Sequence, residues 1–143
     1  MSVEAILKSK GRNVFSVRAE HSVADASALM TNKKVGVAVV CDAKGRLSGV
    51  ISERDIVKGI HEYGKAVLDM PVRNIMSSPV VTCSTSDNAK QVLAVMTERR
   101  IRHLPVIDGD EVVGLVSIGD AVNFRLKEAE MEKAVLRDFA VLK

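Results

Sequence analysis

The sequence has almost no aromatic side chains: in 143 residues there is no Trp, one Tyr and three Phe. Apolar residues still make up 47% of the chain, so a core must be built from Val, Ile, Leu, Ala and Met. The scarcity of rings also counts against a nucleic-acid interface, because single-stranded bases stack on aromatic side chains. The net charge of +3 permits nucleotide or nucleic-acid partners without requiring either. Nucleic-acid binding therefore stays an alternative with no positive signal.

Long apolar runs are also missing. None approaches the roughly 18 residues that a membrane-spanning helix needs, and the first ten residues, MSVEAILKSK, lack the apolar region of a secretory signal. We therefore expect a soluble, cytoplasmic protein. Cysteine is limited to Cys41 and Cys83, with no C-x-x-C spacing and no His placed for zinc. Both lie in apolar stretches, so we expect buried, reduced thiols and no metal site.

What the chain does contain is an internal repeat. The string GVISERD at 49–55 returns as GLVSIGD at 114–120. Upstream, the apolar pattern of 14–42 returns in 80–108, and the turn signal SSP at 77–79 marks the start of the second copy. The identities within the two strings are Gly49/Gly114, Ser52/Ser117 and Asp55/Asp120.

The sequence pattern of each copy predicts the order strand, helix, strand, strand, helix. Residues with helical spacing follow a short strand, and two further strands joined by a tight turn lead into a second helix. The predicted strands cover 14–17, 35–41 and 46–51 in the first copy, and 80–83, 101–107 and 112–117 in the second. The fold class is therefore α/β (α+β), with two β-α-β-β-α repeats related by a pseudo-twofold axis, sheets packed together and helices outside.

The expected repeats span 1–66 and 67–143. About 60 residues leave little core to spare, so we expect the two copies to pack together around a pseudo-twofold axis. The last helix is predicted to run from about Asp120 into EAEMEKAVLRDFAVLK, and it has no equally long counterpart in the first copy. Its apolar stripe indicates packing on a partner or on the repeat pair, and consists of Met131, Val135, Leu136 and Phe139.

The spacing Ser-x-x-Asp, where a strand ends and a helix begins, has two compatible interpretations. Ser52 and Ser117 are predicted N-caps, with Asp55 and Asp120 closing a capping box. The same geometry leaves backbone N–H groups at a helix N-terminus, where anions bind. A Ser hydroxyl can then contact a phosphate, and an Asp carboxylate can accept hydrogen bonds from both hydroxyls of a ribose.

The second candidate feature is RRIRHLPVID at 99–108. Cations at the end of a helix complement its dipole, which explains Arg99 and Arg100 without a ligand. Arg102 and His103 instead enter an apolar strand, so at least one must face a cleft or an interface. A lone His there is more often structural, but an adjacent guanidinium favours phosphate binding through two hydrogen bonds.

These strings together resemble a pair of CBS (cystathionine-β-synthase) domains, which is called a Bateman module. The similarity rests on G-h-h-[ST]-x-x-D closing a strand twice, together with RHLPVID, and it covers nearly the whole chain. The resemblance implies an intertwined pair with two clefts that bind adenosyl ligands: AMP, ADP, ATP, NAD(H) or S-adenosylmethionine. It also implies a flat homodimer of such modules.

By the same resemblance, each cleft draws on both copies. The first would use Gly36, Ser52, Arg54, Asp55, Pro79, Val81, Ile101, His103 and Pro105. The second would use Asn13, Phe15, Val35, Val37, Arg102, Leu115, Ser117 and Asp120. Asp would hold the ribose, Ser and the basic residues the phosphates, and apolar strand edges the base.

The sequence departs from the family pattern at two places. Residues 36–39 read GVAV where the second copy has a basic residue and Pro, and Gly119 stands where the first copy has Arg54. We therefore expect two clefts of unequal affinity.

The leading functional hypothesis is a non-catalytic sensor that binds an adenosyl nucleotide and regulates an unidentified partner in trans. A nucleotide-processing enzyme is a second hypothesis, but it would need a base, nucleophile or metal constellation. The three histidines, His21, His61 and His103, are scattered, and Ser52 has no neighbouring His in the sequence. We therefore expect no catalytic residues.

Overall fold

The computed structural model describes residues 2–141. Its helices are α1 (Val3–Lys10), α2 (Val23–Lys33), α3 (Glu53–Tyr63), α4 (Ala89–Arg99) and α5 (Ile118–Val141). Its strands are β1 (Ser16–Arg18), β2 (Val37–Cys41), β3 (Leu47–Ser52), β4 (Cys83–Ser84), β5 (His103–Asp108) and β6 (Glu111–Ser117). Two 3₁₀ turns, Gly64–Asp69 and Val72–Asn74, connect the copies. The predicted mixed α/β class and the β-α-β-β-α order of each copy are confirmed.

The two copies form separate three-stranded sheets with the same topology. The orders are β1-β2-β3 and β4-β5-β6, and in each the first pair is parallel and the second antiparallel. The antiparallel hairpins share an irregularity at equivalent points, after Val40 and after Val106. Ser52 pairs with Val37, and Ser117 pairs with His103. Each repeated serine therefore stands beside the first residue of the neighbouring strand.

The first strand of each copy is shorter than predicted. Strand β1 begins at Ser16 rather than at position 14, and β4 consists of Cys83–Ser84 rather than 80–83. In the second copy, Val80 and Val81 line a cavity and do not take part in the β4–β5 ladder. The prediction of these strands was thus wrong in extent, although their order in the chain was correct.

The helix termini follow the capping chemistry of their sequences. Ser52 caps α3 in a full capping box, with its side chain accepting from the Asp55 amide while the Asp55 carboxylate accepts from the Ser52 amide. Ser117 and Asp120 exchange the same two bonds at the start of α5. The capping interpretation of both strings is confirmed. At their other ends, α2 and α4 stop at residues in the left-handed conformation, including Arg100 with φ 55°.

The segment that precedes each copy closes the core of the other copy. Helix α1 was not anticipated from the sequence; it buries Val3, Ile6 and Leu7 in the core of the second copy. Conversely, Val72 belongs to the core of the first copy. Leu7 lies so close to Gly114 that a Cβ added there would be 2.6 Å from its Cδ2 atom. The copies are therefore intertwined through their leading segments.

Helix α5 continues without a break through the predicted surplus segment. The predicted stripe of Met131, Val135, Leu136 and Phe139 is exposed, with 54–69% of each side chain accessible. No helix within residues 2–141 combines the length and apolar character that crossing a membrane requires.

The two cysteines are free. Cys83 is buried and Cys41 is half-buried. Burial, with a smaller contribution from the Asp87 charge, raises the pKa of the Cys83 thiol to about 12. Burial and the adjacent Asp42 also raise the pKa of Cys41. Across the described part of the chain, no group of three or more His, Cys, Asp or Glu side chains is arranged to hold a metal ion.

Candidate functional site

A cavity of about 350 Å³ lies between the two copies, at the start of α3. That volume falls within the usual range for small-molecule sites, roughly 300–1,000 Å³. Both copies contribute to its wall. The lining residues are Gly36, Val37, Val50, Ser52, Glu53, Arg54, Asp55, Ser77, Pro79, Val80, Val81, Arg100, Ile101, Arg102 and His103.

Most of the residues assigned to the first cleft meet in this cavity. Gly36, Ser52, Arg54, Asp55, Pro79, Val81, Ile101 and His103 all line it. Pro105 does not, because it is buried inside β5. Val37 and Arg102, predicted for the second cleft, line this cavity as well. The structure therefore brings residues that are far apart in the sequence to one wall.

The Asp55 carboxylate is fixed by three hydrogen-bond donors. Its Oδ2 atom accepts from the Ser52 amide at 2.9 Å and from the Ser52 hydroxyl at 3.0 Å. Its Oδ1 atom accepts from the Ser77 hydroxyl at 3.0 Å. A carboxylate offers about four acceptor positions, so about one remains free beside Ser77. Asp55 is thus held in place and still has a partly free oxygen on the cavity wall.

The cavity wall carries more positive than negative charge. Arg54, Arg100 and Arg102 line it against two carboxylates, those of Glu53 and Asp55. Guanidinium groups pair with phosphate through two parallel hydrogen bonds. The wall therefore combines an acceptor for hydroxyl groups with donors suited to an anionic group.

His103 also lines the cavity, and the pKa of its imidazole is shifted. Burial lowers its pKa first of all, and the positive charges of Lys10 and Arg102 act in the same direction. The carboxylates of Asp120 and Glu53 oppose that shift without reversing it. His103 is therefore largely neutral at pH 7 and can accept or donate a hydrogen bond.

The second repeated string forms the same capping hydrogen bonds, but its carboxylate accepts from a different additional donor. Asp120 Oδ2 accepts from the Ser117 amide at 2.9 Å, as Asp55 does from Ser52. Lys10 Nζ then donates to the same Asp120 oxygen at 2.6 Å and to the Leu115 carbonyl at 2.9 Å. Burial raises the pKa of Asp120, but hydrogen bonds from Lys10 and Ser117 outweigh it, so the net shift is downward.

Three other residues predicted for the second cleft, Asn13, Phe15 and Val35, do not line this cavity. Asn13 is exposed, and Phe15 is half-buried with the Lys33 ammonium 5.6 Å from its ring centre. Val35 lines a neighbouring cavity of about 420 Å³ between α2 and the start of α3. Gly36 and Glu53 belong to both cavities. The two cavities are therefore adjacent at that point.

Sequence reasoning missed several residues of the cavity wall. They are Val50, Glu53, Ser77, Val80 and Arg100. Val50 and Glu53 lie inside the repeated string at 49–55 and could have been inferred from it. Ser77 and Arg100 gave no such signal, because one reads as a turn residue and the other as a helix-terminal cation.

Comparison with known proteins agrees with this arrangement. The family model described as the CBS domain matches residues 3–62 and 72–127. The chain belongs to the CBS-domain family. Its two matched segments correspond to the two copies, and the suspected tandem pair is thereby confirmed.

Three CBS-domain proteins are similar to this chain over most of its length. A mitochondrial CBS domain-containing protein of Arabidopsis thaliana is 31% identical over 139 residues, which are 92% of this chain and 68% of that protein. A solved CBS-domain protein from Agrobacterium tumefaciens is 36% identical, with a TM-score of 0.83 over 87% of this chain and 92% of that one. A CBS domain protein from Pyrobaculum aerophilum, solved in complex with AMP, is 27% identical, with a TM-score of 0.75 over 84% and 89%. Some curated relatives are much longer, and this chain spans about a third of two of them.

Proposed function

We propose that this CBS-domain pair is a regulatory module that binds an adenosyl nucleotide in the cavity containing Asp55. The observation that carries the proposal is the meeting of Asp55 with Arg54, Arg102 and His103 on one wall built from both copies. The AMP complex of the Pyrobaculum aerophilum relative supports it.

In this proposal each part of the wall has a role. Asp55 accepts hydrogen bonds from the ribose hydroxyls, and the Ser77 hydroxyl rotates away to free the second position on Oδ1. Arg54, Arg102 and His103 take the phosphates. The backbone at Val81, just before β4, holds the adenine together with Pro79 and Ile101. The second cleft, around Asp120, is proposed to bind the same class of ligand less well.

The charge of the wall narrows the class of ligand. Three arginines and two carboxylates line the cavity, and this excess of positive charge favours an anionic ligand, because opposite charges attract strongly in a partly desolvated site. AMP, ADP, ATP and NAD(H) carry phosphates, whereas the sulfonium of S-adenosylmethionine carries a positive charge. We therefore propose a phosphate-bearing nucleotide as the ligand.

The proposed output is regulatory and not catalytic. Binding across a wall shared by both copies stabilises one arrangement of the copies, and differential affinity then shifts the population toward it. We propose that the change is transmitted in trans to a protein partner in the cytoplasm, within a homodimer formed through the apolar stripe of α5. Its members Met131, Val135, Leu136 and Phe139 are all exposed in the single chain.

Thermal unfolding with nucleotides tests the ligand class. A ligand that binds only the folded state stabilises it by about 2.7 kcal/mol at a hundredfold excess over Kd. For a domain of this size, that corresponds to a rise in Tm on the order of 5–10 °C. We expect this rise with AMP and a much smaller one with GMP, since the backbone near Val81 is proposed to read the adenine edge. Equal shifts with AMP and GMP at saturation would contradict the proposal.

A further inference from the structure

The carboxylates of the two repeated strings differ in the charge of their partner. Asp120 Oδ2 is 2.6 Å from the Lys10 ammonium, with 36% of the Lys10 side chain and 24% of the Asp120 side chain accessible. The same ammonium donates to the Leu115 carbonyl at 2.9 Å. Both acceptors belong to the set that the family resemblance assigned to the second ligand. Lys10 therefore donates to two of the acceptors that a ligand of the proposed second cleft would use.

In the first copy, a neutral residue donates hydrogen bonds to the equivalent acceptors. Ser77 donates its hydroxyl to Asp55 Oδ1 at 3.0 Å and its amide to the Val50 carbonyl at 2.8 Å. Within residues 2–141 no ion pair forms at Asp55. A hydroxyl can rotate away and leaves the carboxylate charged, whereas an ammonium neutralises it. The two clefts thus differ in whether the carboxylate is neutralised before a ligand arrives.

Lys10 is held in this position by the packing of α1. It is the last residue of that helix, whose Leu7 is fully buried against Gly114. At the other end of the helix, the Val3 amide donates to the Asp87 carbonyl at 2.6 Å. The ammonium therefore has a high effective concentration at Asp120, because its backbone is already fixed.

We propose that Lys10 is an internal counter-ion of the second cleft, so that the two clefts fill in order. This rests on the proposed nucleotide-binding function. A nucleotide enters first at Asp55, and it reaches Asp120 only by displacing Lys10. A ribose hydroxyl cannot match the bond that it replaces, since charge-assisted hydrogen bonds are roughly twice as strong as neutral ones. Gly119, in place of Arg54, adds no cation to offset that loss.

Replacing the ammonium tests the proposal. Lys10→Met keeps the length of the side chain and removes its charge, and Lys8→Met, at an exposed position of the same helix, is the matched control. We would titrate each protein with AMP by calorimetry. The wild type and Lys8→Met should bind one AMP per chain, or a second at least about tenfold more weakly. Lys10→Met should bind two, with dissociation constants within about threefold of each other.

A second variant assigns the new site. Lys10→Met combined with Asp55→Asn should still bind one AMP strongly, at Asp120, and unfolding curves check that every variant is folded. Two equal sites in the wild type would overturn the role of Lys10 while leaving the proposed function intact. A second site that is unchanged or weaker in Lys10→Met would also overturn it, and would make Lys10 a ligand contact or a purely structural one. No AMP binding by any folded variant would contradict both proposals.

Discussion

Truncating Leu7 tests whether α1 is part of the core of the second copy. Leu7 is fully buried beside Gly114 and belongs to the same cluster as Leu104 and Val116. Leu7→Ala removes about three carbon groups, worth about 0.8 kcal/mol each in lost burial, and the cavity left behind adds to that cost. We expect the free energy of unfolding to fall by about 3–4 kcal/mol. That is a large part of the roughly 5–15 kcal/mol that stabilises a typical domain.

Urea unfolding followed by circular dichroism measures this loss, with Lys8→Ala as control at an exposed position one residue away. The control should stay within about 0.5 kcal/mol of the wild type. Amide hydrogen exchange in α1 should also speed up in Leu7→Ala. A loss of less than about 1 kcal/mol would refute the reasoning, because a helix that only lies on the surface loses little when one of its side chains is shortened.

Two further predictions concern pH and assembly. The pKa of His103 is lower in the folded protein than in the unfolded chain, so the unfolded chain takes up a proton more readily. The stability that neutral His103 contributes is therefore complete above about pH 6.5 and is lost as the pH falls below that value. His103→Gln should therefore reduce the change in unfolding free energy between about pH 7.5 and 5.5, and an unchanged slope would count against this. Light scattering should give a dimer for the wild type and a monomer for Leu136→Glu, which places a charge on the exposed stripe of α5. A wild-type monomer across a broad concentration range would exclude the dimer.

The repeated strings could be predicted because their chemistry is local. A Ser followed three residues later by Asp needs only the first turn of a helix to form a capping box, so the geometry of Ser52 and Asp55 follows from the sequence. The strand order follows equally from apolar runs and turn residues. The cavity could not be predicted in the same way, because Ile101 and His103 share a wall with Asp55 only after both copies have packed.

Helix α1 was missed for a physical reason. Eight residues are too few for a periodicity that stands out, and periodicity would not in any case tell which sheet the apolar face packs against. The partner of Lys10 could not be predicted from the sequence either, because Asp120 lies 110 residues further along the chain. From the sequence, Arg100 is explained as a cation at a helix end; in the structure it has a left-handed backbone and lines the cavity.

Calorimetric titration of Asp55→Asn with AMP tests the central claim most directly. The variant can keep its oxygen on the Ser52 cap, which turns the amide nitrogen toward the cavity where Oδ1 now faces Ser77. Loss of the charged acceptor should cost about 2–3 kcal/mol of binding, or roughly 30–150-fold in Kd. Asp25→Asn is the matched control, since Asp25 occupies the first turn of the Ser-capped helix α2 outside the cavity. The account predicts the weakened binding for Asp55→Asn alone, with both variants folded. Equal affinity for AMP in the wild type, Asp55→Asn and Asp25→Asn would show that the repeated string only caps helices.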